Sequence, residues 1–161
     1  MRKPPNTRIF NDDGTVSLLM ENGQKTLMDI DSLKFVNNRV HIAKHGYAIL
    51  CLNSKNYYLH SLIVKAPVGM EIDHINGDTT DNRKCNLRLC THQQNLYNCK
   101  KPKNNSSGYK GISWDVHAKK WVAHFNHNKH RVYVGLYPTI KEAVVAYAIK
   151  INEFNGEFAR I

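Results

Sequence analysis

Residues 71–98 read EIDHINGDTTDNRKCNLRLCTHQQNLYN, and the order of elements in the middle of the chain follows from where this stretch changes its pattern. Met70 to Asp73 is a brief extended run that delivers the adjacent pair Asp73-His74. Residues 75–84 are rich in Asn, Asp, Gly and Thr and predict a turn-rich loop, and Leu87 to Leu89 is extended again. Thr91 then opens T-x-x-Q with Gln94, a capping box in which each side chain satisfies a backbone donor of the first turn. A helix is predicted over residues 92–99, with Asn95 one turn in. Just upstream, LHSLIV at residues 59–64 reads as a strand, so the segment predicts strand, long polar loop, short strand, short helix.

This layout suits phosphodiester hydrolysis, which needs a base to deprotonate water, a divalent cation to neutralise developing charge, and ligands that hold the cation beside the base. Neighbours on a strand point to opposite sides. Asp73 and His74 can therefore divide the labour at a strand end, one turned to metal and the other to water. Asn95 would supply a second, neutral oxygen ligand, and hard oxygen donors select Mg2+ or Mn2+ over zinc. The plain alternative is that DHINGDTTDN is only a polar, Asx-rich loop. The conjunction of acid, His, a following Asn and a helix-borne Asn, with the intervening elements in order, favours the catalytic reading.

Residues 59–98 resemble the HNH endonuclease motif of the ββα-metal class, in the branch found in phage and intron-encoded homing endonucleases. LHSLIV, EIDHINGDTTDNRKCNLR and THQQN carry the resemblance. It implies that His74 is the general base, Asn86 the middle Asn that braces the loop, and Asp73 and Asn95 the metal ligands. His60 matches the His of the usual L-H-R-L-V run, with Ser61 standing where Arg is common; a packing role and a role at the scissile phosphate are both open for it. Asn82 and Arg83 are expected to shape the loop or touch backbone phosphate, and Asp78 and Asp81 to be turn residues.

Charge is distributed unevenly. The 161 residues carry 23 Lys and Arg against 13 Asp and Glu, a net charge of +10. Residues 1–58 hold +3, residues 59–99 are neutral, and residues 100–161 hold +7. Such a local excess points to a polyanionic partner. A content of 42% hydrophobic and 22% charged residues excludes collagen-like, coiled-coil and wholly disordered chains. No run approaches the ~20 apolar residues of a membrane span, and the opening MRKPPNTRIFNDDG has no secretory apolar core. A cytoplasmic protein without a membrane partner is expected. Cys51, Cys85, Cys90 and Cys99 form no C-x-x-C pair and read as buried free thiols rather than a structural zinc site.

KKPKNNSSG at residues 100–108 reads as a linker. Upstream, residues 14–59 alternate short β-branched runs with turn signals, among them Asn22-Gly23, whose hairpin form needs positive φ at both positions. One helical turn is expected at Asp31 or Ser32. Downstream come three runs, YKGISWD, KKWVAHFN and HRVYVGLY, then a helix opened by the capping box Thr139 to Glu142 and stopped by Gly156. Ile140, Ala143, Val144, Tyr147, Ile151 and Phe154 recur along it at helical spacing.

Residues 107–161 resemble the DNA-binding domain of plant ethylene-response factors, the Apetala-two type, on YKGISWD, KKWVAHF, RVYVGLYPTIKEAVVAYAIK and NGEFARI. That resemblance implies a three-stranded sheet in the major groove of DNA. Its outward candidates are Lys110, Ser113 and Asp115 on the first strand, His124 and Asn126 on the second, and Arg131 and Tyr133 on the third. Lys119, Lys120 and Lys129 are expected at turns, on phosphates. Trp121 shares the core parity of Ala123 and Phe125; for Trp114, packing and DNA contact are both open. His117, His124, His127 and His130 are expected on a solvated, partly DNA-facing surface.

The combined expectation is an α+β protein in three parts: a β-rich region over 1–58, the HNH motif and linker over 59–104, and the DNA reader over 105–161. Its expected function is metal-dependent cleavage of double-stranded DNA, as a monomer or weak dimer, in a bacterial or phage-infected cell. The alternatives are a non-catalytic DNA-binding regulator that keeps the fold, and an RNA-binding accessory factor.

Overall fold

Short alternating runs separated by turn residues pair antiparallel, and the strands among the described residues all do so. A computed structural model of the chain describes residues 6–99, 101 and 105–160 and divides the chain into two compact units, residues 1–91 and 92–161. Helices and small antiparallel sheets occur in both, an α+β fold as expected.

In the first unit, β1 (Thr7–Phe10), β2 (Thr15–Leu19) and β3 (Lys25–Asp29) form one three-stranded sheet. A 3-10 turn at Ile30–Phe35, where the sequence placed its helical turn, leads to a second sheet of β4 (Val40–Ile42), β5 (Ala48–Leu52) and β6 (Lys55–Tyr58). Val16, Leu18 and Met28 from the first sheet and Val40, Ala48 and Leu50 from the second are buried in one core. The Asn22-Gly23 hairpin forms between β2 and β3, but only Gly23 takes positive φ (79°), within a longer loop closed by Met20 N–H on the Gln24 carbonyl at 2.8 Å. A two-residue turn with both φ positive lies instead at Asn53-Ser54 (49° and 63°), between β5 and β6.

Leu59–Ile63 is a short helix, α1, and not the strand expected from LHSLIV. Leu59, Leu62 and Ile63 stand at i, i+3 and i+4, and all three pack on the core of the two sheets. A run this short has no periodicity that separates strand from helix, so the face it must bury decides. Because Leu59 is fully buried in that core, the boundary expected between residues 58 and 59 runs through shared packing. β7 (Glu71–His74) and β8 (Leu87–Cys90) then pair antiparallel, with a 3-10 turn at Lys84–Asn86 closing the loop between them.

The second unit opens with α2 (His92–Asn98), where the helix was predicted. Of the expected linker, residues 100 and 102–104 lie outside the described residues. β9 (Ile112–Asp115), β10 (Lys120–His127) and β11 (His130–Tyr137) make an antiparallel sheet in the order β11-β10-β9. α3 (Ile140–Asn155) packs on it through Ala143, Tyr147 and Ile151, against Ile112, Ala123 and Phe125. Thr139 caps it by accepting the Glu142 N–H, and Gly156 ends it. Gly111, at φ +71°, admits no side chain, since a Cβ there would lie 2.3 Å from both the His124 carbonyl oxygen and the Tyr147 ring.

Candidate active site

Strand β7 carries Asp73 and His74 into a buried position, each no more than 5% exposed. Across the ladder Asp73 faces Arg88 and His74 faces Leu87. Arg88 donates from Nε and Nη2 to Asp73 Oδ2 at 2.9 and 2.8 Å, so the carboxylate is held by a cation that is itself largely buried. The pairing of β8 with β7 sets Arg88 opposite the acid, a role that the sequence reading did not give it.

The loop from 75 to 86 is tied at many points. Asn86 holds both its ends: its Oδ1 accepts the Asn76 N–H at 3.0 Å, its carbonyl accepts the Ile75 N–H at 2.9 Å, and its Nδ2 donates to the Asp81 carbonyl at 2.8 Å. Asp78 caps a turn, accepting from Thr80 N–H and Oγ1 at 2.9 and 2.7 Å. Asp81 is not a simple turn residue: it is 5% exposed and takes a two-pronged bond from Arg83, at 2.8 and 2.7 Å. The Arg83 guanidinium holds the Asp81 carboxyl below its ordinary range. Arg83 thereby shapes the loop.

The amino-terminal sheet templates this loop, a role its composition did not disclose. Leu27 of β3 donates its N–H to the Thr80 carbonyl at 2.9 Å and accepts the Asn82 N–H at 2.8 Å, a parallel bridge at Leu27 and Asp81. Thr79 Oγ1 donates to the Gly46 carbonyl at 2.8 Å, and Lys84 N–H to Asp29 Oδ2 at 2.7 Å.

Around His74 stands a set of rings. The His60 imidazole, 8% exposed on α1, meets His74 edge-on at 5.1 Å between centroids, stacks on Tyr58 at 5.3 Å and meets Tyr47 at 5.4 Å. Burial, then the neighbouring His74, pushes the His60 imidazole down to about 4, and its buried Nδ1 has no hydrogen-bond partner among the described residues. Burial also lowers His74, against the raising effects of its bond to Asn82 and of the carboxylates of Asp73, Asp78 and Asp81. A neutral imidazole at pH 7 can take a proton. Tyr47 and Tyr58 were not singled out in the sequence, because two Tyr in separate strand runs carry no motif.

Among the described residues no group of three or more His, Cys, Asp or Glu could hold a metal ion. Of the expected ligands, Asp73 is a carboxylate, the hard oxygen donor type that Mg2+ or Mn2+ takes, and its Oδ2 is held by Arg88. Asn95 lies on α2, in the second unit. Of the cysteines, only Cys90 is buried, its thiol pushed up to about 11 chiefly by burial, while Cys51, Cys85 and Cys99 are exposed. The expectation of four buried thiols holds for one.

In the second unit the ladder puts Ser113, Val122, His124, Asn126, Arg131, Tyr133 and Leu136 on one face, through the pairs Val122 with Ser113 and Leu136, His124 with Tyr133, and Asn126 with Arg131. Arg131 and Tyr133 are exposed and His124 is half-buried. Trp114 is paired with Trp121, on the opposite face, and their rings meet at 5.3 Å. Lys110 is not an outward strand residue. It precedes β9, and its Nζ donates to the carbonyls of Tyr97 and Cys99 at 2.6 and 2.8 Å, satisfying acceptors left over at the end of α2. Lys119 and Lys129 sit in turns with φ of 50° and 65°, whereas Lys120 opens β10 opposite Asp115. Nor is His127 a free surface group, since its Nδ1 pairs with Asn155 Oδ1 at 2.8 Å and its ring stacks on Tyr97.

Comparison with known proteins bears on the first of these sites. The family described as HNH endonuclease matches residues 57–97, which include part of the aromatic surround as well as the loop. Protein 3.8 of Escherichia phage T7 is 44% identical over 55 residues, covering 34% of this chain and 46% of its own length. An uncharacterized HNH endonuclease of Acanthamoeba polyphaga mimivirus is 30% identical over 124 residues, covering 74% of this chain and 64% of its own length. The chain thus spans less than two thirds of either relative. No solved structure matches it significantly. Residues 57–97 thus match the HNH endonuclease family, and a viral HNH endonuclease is among the proteins to which the chain is similar.

Proposed function

We propose that the chain is a divalent-metal-dependent DNA endonuclease of the HNH homing type, with Mg2+ or Mn2+ as its cation and duplex DNA as its substrate. The observation that supports this most is the buried Asp73-His74 pair at one strand end, with the imidazole beside a carboxylate and the loop after it tied by Asn86. His74 takes the proton of the attacking water. Asp73 and, by the spacing of the motif, Asn95 are assigned as the oxygen ligands. The bound cation would neutralise charge on the phosphate and the leaving oxygen. Arg88 fixes the Asp73 carboxylate in the rotamer it needs, and His60 packs against the base and limits water around it.

The carboxy-terminal unit is assigned as an ethylene-response-factor-like reader of duplex DNA, through Ser113, His124, Asn126, Arg131 and Tyr133 on one face and Lys119, Lys120 and Lys129 towards phosphates. Trp114 lies on the other face of the sheet, with its ring against Trp121. Arg83 and Lys110 are left out of this set, since both cations are engaged within the protein. One active site per chain favours nicking by a monomer, in a bacterial or phage-infected cell. No helix among the described residues is long and apolar enough to cross a membrane.

Incubation of the full chain with supercoiled plasmid and magnesium or manganese, with and without chelator, tests the reading. Conversion to open circle that stops with chelator is the expected result. Tight DNA binding with no cleavage under either metal would favour the non-catalytic regulator.

A further inference from the structure

A buried chain of hydrogen bonds connects β3 to the ring of His74. Asn82 is fully buried, and its amide lies between Thr26 and His74. Thr26, also fully buried, donates its single hydroxyl proton to the Thr80 carbonyl at 2.7 Å. Having spent its proton, the Thr26 oxygen can only accept, and it accepts from Asn82 Nδ2 at 2.8 Å. A second, longer bond from Nδ2 to the Thr80 carbonyl, at 3.3 Å, favours the same orientation. The amide is therefore turned with its NH2 towards the sheet and its oxygen towards the base, where Oδ1 lies 3.4 Å from His74 Nε2. An amide oxygen accepts and never donates, so the proton of the neutral imidazole belongs on Nε2 and the lone pair on Nδ1.

We propose that Asn82, oriented by Thr26, is the positioning residue that selects the tautomer and ring orientation of His74, so that Nδ1 is the nitrogen that takes the proton from water. This rests on the reading of His74 as the base. It also gives the amino-terminal sheet a part in the chemistry: Thr26 and Leu27 present the acceptor and the backbone bridge that hold Asn82 in place. Asn82 touches neither water nor phosphate in this scheme and acts only through His74.

Nitrogen-15 imidazole spectra of the full chain, read at neutral pH together with kcat and KM for plasmid cleavage in magnesium, test the proposal. The wild-type His74 should be almost wholly the Nε2–H tautomer. Asn82→Leu keeps the branched shape and removes the acceptor. It should yield a mixed tautomer population and a fall in kcat of about 10- to 100-fold with KM unchanged. Asn82→Asp keeps an acceptor towards His74, and Thr26 can turn its hydroxyl to donate to the other carboxylate oxygen. This variant should retain the Nε2–H tautomer and most of the rate. A wild-type spectrum dominated by Nδ1–H overturns the proposal without any variant, which matters if Asn82→Leu does not fold. A folded Asn82→Leu with wild-type tautomer and kcat overturns it equally. His74→Ala cleaving at the wild-type rate would instead sink the catalytic reading, and the tautomer spectrum would still judge the link between Asn82 and His74.

Discussion

Arg88 spends both its Nε and its Nη2 on one oxygen of Asp73, at 2.9 and 2.8 Å, in a pair whose side chains are only 11% and 6% exposed. A buried ion pair gains little over apolar packing, but breaking it leaves a charge with no compensation, at a cost of about 3–5 kcal/mol. The geometry does more for orientation than for stability, since it fixes the carboxylate next to His74. Arg88→Met should therefore destabilise the first unit strongly, seen as a lower urea midpoint at unchanged slope. Asp73→Asn, isosteric and neutral, should cost less stability than Arg88→Met yet raise the magnesium or manganese needed for cleavage. A midpoint for Arg88→Met equal to wild type would show that the pair is solvated and does not hold Asp73.

His74→Ala should abolish cleavage while leaving DNA affinity nearly unchanged. A general base contributes about 10²–10⁴-fold to the rate and little to ground-state binding. Plasmid conversion and a gel-shift titration on the same preparations separate the two effects. A loss of binding that matched the loss of cleavage would mean that His74 holds the loop rather than the proton.

His60 couples stability to pH. Its folded value, about 4, lies below the ordinary 6.5, so the unfolded chain binds the proton more readily. Its contribution is therefore fully present above about pH 6.5 and is lost as pH falls from there towards 4. Across that window stability should drop by up to a few kcal/mol from this group, since a tenfold difference in proton affinity between the folded and unfolded chain is worth about 1.4 kcal/mol. His60→Phe, which keeps a ring against Tyr58 and His74, should flatten the slope. Urea titrations at several pH values between 4 and 7 give the measurement, and parallel slopes for the two proteins would contradict it.

The parts of the site that were legible in the sequence are those with local rules behind them. The paired strands around Asp73, the Asx-rich loop, the helix over 92–98 and the capped α3 all follow from turn chemistry and capping within a few residues. What was not legible depends on contacts distant in sequence. Thr26 and Asn82 stand 56 positions apart, and nothing in either run announces the other. The helical form of Leu59–Ile63 is set by a core built from β2 to β5, and Lys110 is drawn from the sheet face by the two carbonyls at the end of α2. A lysine beside a Gly carries the same letters whether it meets phosphate or a helix end.

Lys110 and Lys129 should behave as opposites in DNA binding. Lys129 occupies an exposed turn at φ 65°, where its ammonium is free to meet phosphate, whereas Lys110 is half-buried on the carbonyls of Tyr97 and Cys99. Each phosphate contact contributes about 0.9 to the slope of log affinity against log salt for duplex DNA. Lys129→Ala should lower that slope by about one contact and leave thermal stability unchanged. Lys110→Ala should leave the slope intact and lower the stability of the second unit, because two carbonyl oxygens at the end of α2 lose their donor. α2 is held within that unit at a further point, with Arg160 Nη1 reaching the Asn98 carbonyl at 3.5 Å. Deleting residues 105–161 would therefore remove the support of the helix that bears Asn95 along with the DNA reader, and point substitution is the cleaner experiment. An equal loss of salt slope in Lys110→Ala and Lys129→Ala would show that Lys110 leaves the helix end for DNA, and equal slopes in both variants and the wild type would move the phosphate contacts to other residues of the chain.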